Sequence, residues 1–171
     1  VSRDLHEDRC GTLRYVTTPD QLAVIDLGSN SFQMVVARSD QGRLHVVDRL
    51  REAVGLARGL ERGNELDEAT RARALACLSR MGERLAEVPT AAVRVVGTNT
   101  LRRAKNARAF MKEAEGVLGH RIEIISGKEE ARLIYQGAAR NLPEHPRRRL
   151  VVDVGGGSTE LILGHGKKPV E

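Results

Sequence analysis

Short apolar runs joined by tight turns occupy Leu22 to Asp26, Phe32 to Arg38 and Arg43 to Leu50, which is the spacing of strands. The second turn is Ser39-Asp40-Gln41-Gly42, so the three form an antiparallel meander. From Asp67 the pattern changes. Leu75, Leu78, Gly82 and Leu85 recur at helical spacing, predicting a helix capped by Asp67 and stopped before Pro89. Ala92 to Gly97 reads as a strand. Asn106 is placed to cap a second helix with a buried stripe of Phe110, Ala114 and Val117, ended by Gly119. Arg121 to Ile125 is the next strand. Ser126 then opens a third helix, and Glu129 three residues on makes a capping box in which the glutamate reaches back to the serine N–H. After polar Asn141 to Arg149, the strand Leu150 to Asp153 starts a hairpin pattern again.

Three strands followed by helix, strand, helix, strand, helix is an α/β order that suits a mixed sheet with helices on its faces. Residues 1–20 lack periodicity and are expected to be a flexible leader. Residues 21–140 then form a first domain, 141–149 a linker, and 150–171 the start of a second, incomplete domain. A chain of 171 residues is ample for one domain and short for two.

Composition narrows the function. The share of 40% hydrophobic and 30% charged residues is that of a soluble globular protein. No apolar run approaches a membrane span and no signal pattern opens the chain, so the expected location is cytoplasmic. Cys10 and Cys77 have neither metal-site nor disulfide spacing, and Cys77 reads as a small core filler. The net charge of +5 fits an anionic partner. With two Phe, two Tyr and no Trp, stacking platforms for nucleic acid are missing, so a charged, base-poor ligand fits better.

The chemistry is concentrated in two loops. Val151 to Glu160, VVDVGGGSTE, runs from an apolar strand through Asp153 and three glycines into a Ser-Thr-Glu tail. Ala23 to Ser31, AVIDLGSNS, repeats the order: apolar run, Asp, glycine, hydroxyls. Each reads as strand, phosphate loop, strand, and the pair implies two related half-domains facing one ligand. Adjacent glycines suit φ > 0 and bare N–H groups aimed at phosphate oxygens. The third glycine of a dinucleotide fingerprint is missing, and Gly166-Lys167 lacks the first glycine of a P-loop. Asp26 and Asp153 are placed to hold a cation or orient water, or to cap their turns. Glu130, in the first turn of its helix with no capping role, is expected to point outward and ionised, and is the better of the two glutamates for chemistry.

AVIDLGSNSFQMVVAR, VVGTNTLRRAKNA, IEIISGKEEARLIYQG and VVDVGGGSTELILG together resemble the exopolyphosphatase and guanosine-pentaphosphate phosphatase family, from about Leu22 to the end. That family belongs to the actin, sugar kinase and heat-shock chaperone superfamily. The resemblance implies a ribonuclease-H-like domain, the first hairpin of a second one, and a site in the cleft between them. It implies Mg²⁺ as cofactor, inorganic polyphosphate or guanosine pentaphosphate as substrate, and a homodimer at full length. Glu130 corresponds to the base that activates water, Arg102 to a phosphate-contacting arginine, and Asp153 and Glu160 to acidic catalytic positions. Gly28, Ser29, Asn30, Ser31, Gly155, Gly156, Gly157, Ser158 and Thr159 correspond to phosphate-binding positions, and Asp26 with Asp153 to metal ligands.

The main expectation is release of the terminal phosphate of polyphosphate. Guanosine-pentaphosphate hydrolysis and a non-catalytic polyphosphate-binding module stand as alternatives, and the hairpin after Leu150 is expected to lack sheet partners. Arg102 also reads as a solvated helix-end charge, Glu160 as an outward strand residue, and Thr98-Asn99-Thr100 as either phosphate contacts or a satisfied turn. Arg147 to Arg149 reads as a solvated linker rather than a polyphosphate track.

Overall fold

A computed structural model describes residues 2–7, 13–18, 21–41, 43–60, 63–143 and 148–170. Cys10, Gly42, Arg147, Glu171 and part of the expected linker and leader lie outside the described residues. Where a flexible leader is expected, the backbone of Ser2–Glu7 (β1) pairs antiparallel with Leu13–Thr18 (β2). The β-branched and aromatic residues of LRYVTT favour that extended state.

The main sheet has five strands: Gln21–Leu27 (β3), Phe32–Asp40 (β4), Arg43–Glu52 (β5), Val93–Gly97 (β6) and Ile122–Ile124 (β7). Its order is β5-β4-β3-β6-β7. The first three make the expected antiparallel meander, while β6 and β7 join parallel to β3. This mixed sheet with crossover helices is the ribonuclease-H-like arrangement.

Two helices supply the crossovers, Glu68–Arg84 (α1) and Ala107–Leu118 (α3). Ile25, Phe32 and Met34 of the sheet share one core with Leu78 and Met81 of α1 and Phe110 of α3. Asp67 caps α1 as expected, its Oδ1 accepting the Thr70 N–H at 2.7 Å. That bond holds the Asp67 carboxyl below its ordinary pKa. The α3 stripe is Phe110, Ala114 and Leu118; Val117, expected inside, is 44% exposed, one step around the helix. Asn106 precedes α3 without capping it. Its amide instead accepts from the Leu66 N–H at 2.9 Å and donates to the Leu66 carbonyl at 3.0 Å, imitating a strand partner. Cys77 is buried as expected, and burial beside Glu52 pushes its thiol up to about 12.

The expected loop after Gly97 contains a short helix, Asn99–Arg103 (α2). Helix α4, Gly127–Asn141, carries a second sheet of Arg148–Val154 (β8), Thr159–His165 (β9) and Lys168–Pro169 (β10), ordered β10-β9-β8. The late hairpin therefore does have partners. Tyr135 and Ala139 of α4 pack with Ile162 of β9, and the Tyr135 hydroxyl donates to the Gly166 carbonyl at 3.0 Å. The other face of this hairpin leaves Leu150, Val152, Val154, Leu161 and Leu163 exposed. Among the described residues no helix is long and apolar enough to cross a membrane.

Candidate active site

The two loops are built to one register. Asp26 stands opposite Gln33 and Leu27 opposite Phe32; in the second hairpin Asp153 stands opposite Glu160 and Val154 opposite Thr159. The second loop is closed by the Gly155 N–H donating to the Ser158 carbonyl at 2.9 Å. The first is fixed from outside. A 3₁₀ turn over Leu56–Gly59 follows Gly55, whose N–H donates to the Asn30 carbonyl at 2.8 Å, while the Ala57 N–H donates to that of Ser29 at 2.9 Å.

The loops meet directly. A Cβ added to Gly156 would stand 2.2 Å from Asn30 Cγ, and one on Gly157 would stand 2.7 Å from Ser29 Oγ and 2.8 Å from Asn99 Nδ2. The Asn99 amide also donates to the Gly157 carbonyl. None of the three adjacent glycines has positive φ, contrary to the sequence expectation. Gly156 and Gly157 are needed because their backbone lies against Asn30, Ser29 and Asn99, where no methyl fits, whereas Gly155 meets only Ser158 of its own loop. Ser29 is buried and accepts a hydrogen bond from the Thr100 hydroxyl at 2.8 Å, so its oxygen fastens the first loop to α2.

Four charged groups converge around this junction. Arg102 Nη1 donates to Glu130 Oε2 at 2.8 Å and to the Ile125 carbonyl at 2.8 Å. Glu130 thus turns inward, its side chain 14% exposed, rather than outward as the helix-field argument expects. The guanidinium wins over solvent because the pair is largely shielded from water. Arg102 forms no other hydrogen bond among the described residues, leaving N–H groups for an anion. Glu129 caps only in part: Ser126 Oγ accepts the Glu129 N–H at 3.1 Å, but the glutamate is drawn into a two-point pair with Arg132 instead of reaching back.

Asp26 has its pKa raised to about 6 by burial first, then by the nearby charges of Glu130 and Asp153. Its Oδ1 is buried without a partner, as is Oε2 of buried Glu160. Asp153 and Glu160 face each other across β8 and β9, an arrangement unfavourable for two carboxylates alone. These orphaned oxygens fit a hard cation such as Mg²⁺. Among the described residues no three His, Cys, Asp or Glu side chains form a ready-made cage, so Asp26 or Asp153 would supply one or two ligands beside phosphate and water.

Other positions serve the loops differently. The Ser31 hydroxyl accepts from Arg51 Nε at 3.4 Å. A Cβ on Gly28 would stand 2.9 Å from the Ser31 carbonyl oxygen, which keeps that turn tight. Glu160 alternates inward with Ile162, whereas Thr159 lies on the exposed face of β9, away from Glu160. Asn99 and Thr100, open at the sequence level between phosphate contact and turn, join the loops to each other. Only their placement between Gly97 and the TLR run hinted at this.

A mixed ribonuclease-H-like sheet bearing duplicated Asp-x-Gly hairpins defines a fold of the actin-like class. Residues 35–171 match the model of the Ppx/GppA phosphatase family, and the chain belongs to that family. It is 47% identical over 150 residues to a guanosine-5′-triphosphate,3′-diphosphate pyrophosphatase of Aliivibrio fischeri, a match covering 88% of this chain and 30% of that protein. Among solved structures it is similar to an exopolyphosphatase from Cytophaga hutchinsonii, with 28% identity and a TM-score of 0.83, covering 88% of this chain and 48% of that one. A Ppx/GppA family member from Aquifex aeolicus shares 30% identity at a TM-score of 0.78, over 90% of this chain and 50% of that one. The chain thus spans under a third of the length of this curated relative and about half of these solved ones.

Proposed function

We propose that this chain carries the water-activating half of a phosphohydrolase that removes the terminal 5′ phosphate of guanosine pentaphosphate. The observation that carries it is Glu130 held by Arg102 at 2.8 Å beside Asp26 and the interlocked loops. Similarity to a guanosine-pentaphosphate pyrophosphatase at 47% identity ranks this substrate above inorganic polyphosphate. Polyphosphate is the second reading, favoured by the likeness to an exopolyphosphatase and by the net charge of +5.

In either case Glu130 takes a proton from the attacking water, and Arg102 fixes its carboxylate so that one oxygen stays directed at that water. The remaining Arg102 N–H groups grip oxygens of the transferring phosphate, and loop N–H groups hold the phosphates behind it. Asp26 or Asp153 would hold Mg²⁺, which would supply charge neutralisation to the phosphate oxygens.

The test is phosphate release from guanosine pentaphosphate and from long-chain polyphosphate, with Mg²⁺, by the protein and its Glu130→Gln variant. Turnover should fall about 10²- to 10⁴-fold in the variant while thermal unfolding and substrate binding are retained. The substrate with the higher kcat/KM names the activity. Undiminished turnover in Glu130→Gln would remove Glu130 as the base.

A further inference from the structure

Beside the interlocked loops lies a cavity of about 310 Å³ lined by Asn30, Ala53, Val54, Gly55, Arg58 and Arg73. Two of its six lining residues are guanidiniums and none is a carboxylate, which selects for an anion. Arg73 is held in place by its own bonds: Nη2 donates to Thr70 Oγ1 at 2.7 Å and Nε to the Val54 carbonyl at 3.4 Å. Arg58 is exposed, and its guanidinium makes no hydrogen bond or ion pair among the described residues. Its stem lies beside Gly55, with Cδ 3.6 Å from where a Cβ on that glycine would stand. The cavity thus combines one positioned cation with one still lacking a partner.

Asn30 connects this cavity to the catalytic junction. Its carbonyl accepts the Gly55 N–H on the cavity side, and its amide abuts Gly156. A phosphate held by the loops therefore has the cavity one residue away, across Asn30. At roughly ten times the share of liquid volume that one water occupies, the space admits a diphosphate with part of its hydration.

We propose that this cavity is a subsite for a second, uncleaved phosphate group of the same substrate, bound by Arg58 with Arg73 behind it. The inference rests on the phosphohydrolase reading above and adds where substrate identity is read. The recognised chemistry is a phosphate tethered to the scissile one. In guanosine pentaphosphate it is the 3′-diphosphate; in polyphosphate it is an inner stretch of the chain. Ordinary triphosphates lack the first, and tripolyphosphate is too short for the second.

The experiment compares the protein with its Arg58→Ala and Arg58→Lys variants in two arms. One sets guanosine pentaphosphate against guanosine triphosphate, and the other long-chain polyphosphate against tripolyphosphate. Arg58→Ala should lower the ratio of kcat/KM between the paired substrates about tenfold, chiefly through KM, with partial recovery in Arg58→Lys. A selective loss in the first arm assigns the cavity to the 3′-diphosphate, and in the second to the polyphosphate chain. Equal loss on both members of each pair, or no loss, overturns the subsite.

Equilibrium binding of the same four ligands to the Glu130→Gln protein, with and without Arg58→Ala, separates this idea from the catalytic one. Discrimination that depends on Arg58 in the Glu130→Gln protein, alongside a native chain that hydrolyses none of the four ligands, would keep the subsite and sink the hydrolase reading. Turnover without such discrimination would do the reverse.

Discussion

Asp26 is the residue whose environment does most to define the site, because its carboxyl is half buried among two other acids with one oxygen unpartnered. Its pKa rises from 3.8 to about 6, so between those values the folded state binds more protons than the unfolded one. Stability therefore falls as pH rises through that window and stays lowered above it. An Asp26→Asn variant has no charge to lose, so its stability relative to the native chain should rise from about pH 4 to about pH 7. Urea midpoints across that range give the answer; a constant difference would mean that Asp26 titrates as an ordinary surface acid. The same variant should bind Mg²⁺ more weakly at neutral pH, read by calorimetry. The Asp26 position was legible in the chain as an apolar run ending in Asp-Leu-Gly. Its charge state was not, since the nearest acids come from positions more than a hundred residues away in sequence.

At the scale of elements, duplicated hairpins were legible because each depends on local alternation and on a four-residue loop between paired strands. The junction between them was not. Three glycines in a row read as conformational freedom, whereas the use of Gly156 and Gly157 is the absence of side chains against Asn30, Ser29 and Asn99. Likewise Glu129 and Glu130 are adjacent in sequence, yet Arg132 draws one and Arg102 the other, and only tertiary placement of Arg102 decides that. Gly157→Ala should push the second loop off buried Ser29, since that serine is pinned by Thr100 and cannot give way. Amide exchange over 148–165 should then quicken while the α1–α3 core keeps its protection, as hydrogen-exchange mass spectrometry would show. Unchanged exchange in the hairpin would mean that the loops touch without depending on each other.

At the scale of the molecule the core is unequal. One large cluster joins the five-stranded sheet to α1 and α3, while the hairpin rests on α4 through a cluster with Tyr135, Ala139 and Ile162 at its centre. The hairpin's outer face presents Leu150, Val152, Val154, Leu161 and Leu163 to water, a contiguous apolar strip of a kind that promotes association. This chain should therefore sediment with a concentration-dependent mass, and Leu161→Lys with Leu163→Glu should reduce that dependence without altering the Tyr135 packing. A monodisperse native chain would show that the strip is harmless in isolation. A mixed α/β sheet was legible at this scale from element order, because strand spacing and helix periodicity are local properties, while its ribonuclease-H-like character rested on the family resemblance. Which sheet α4 serves was not, since its apolar stripe fits either.

One helix does two jobs in this arrangement. Glu130 sits in its first turn, and Tyr135 and Ala139 farther along seat the strands that carry Asp153. The helix thus ties Glu130 to the second loop, so that any rotation of α4 about Ile125 and Ser126 would carry both. Arg102 clasps that pivot on both sides, gripping the Ile125 carbonyl and the Glu130 carboxylate with one nitrogen. Any rotation of α4 that draws it away from Arg102 must release that clasp, so on the proposed reading a gaping site would disarm itself.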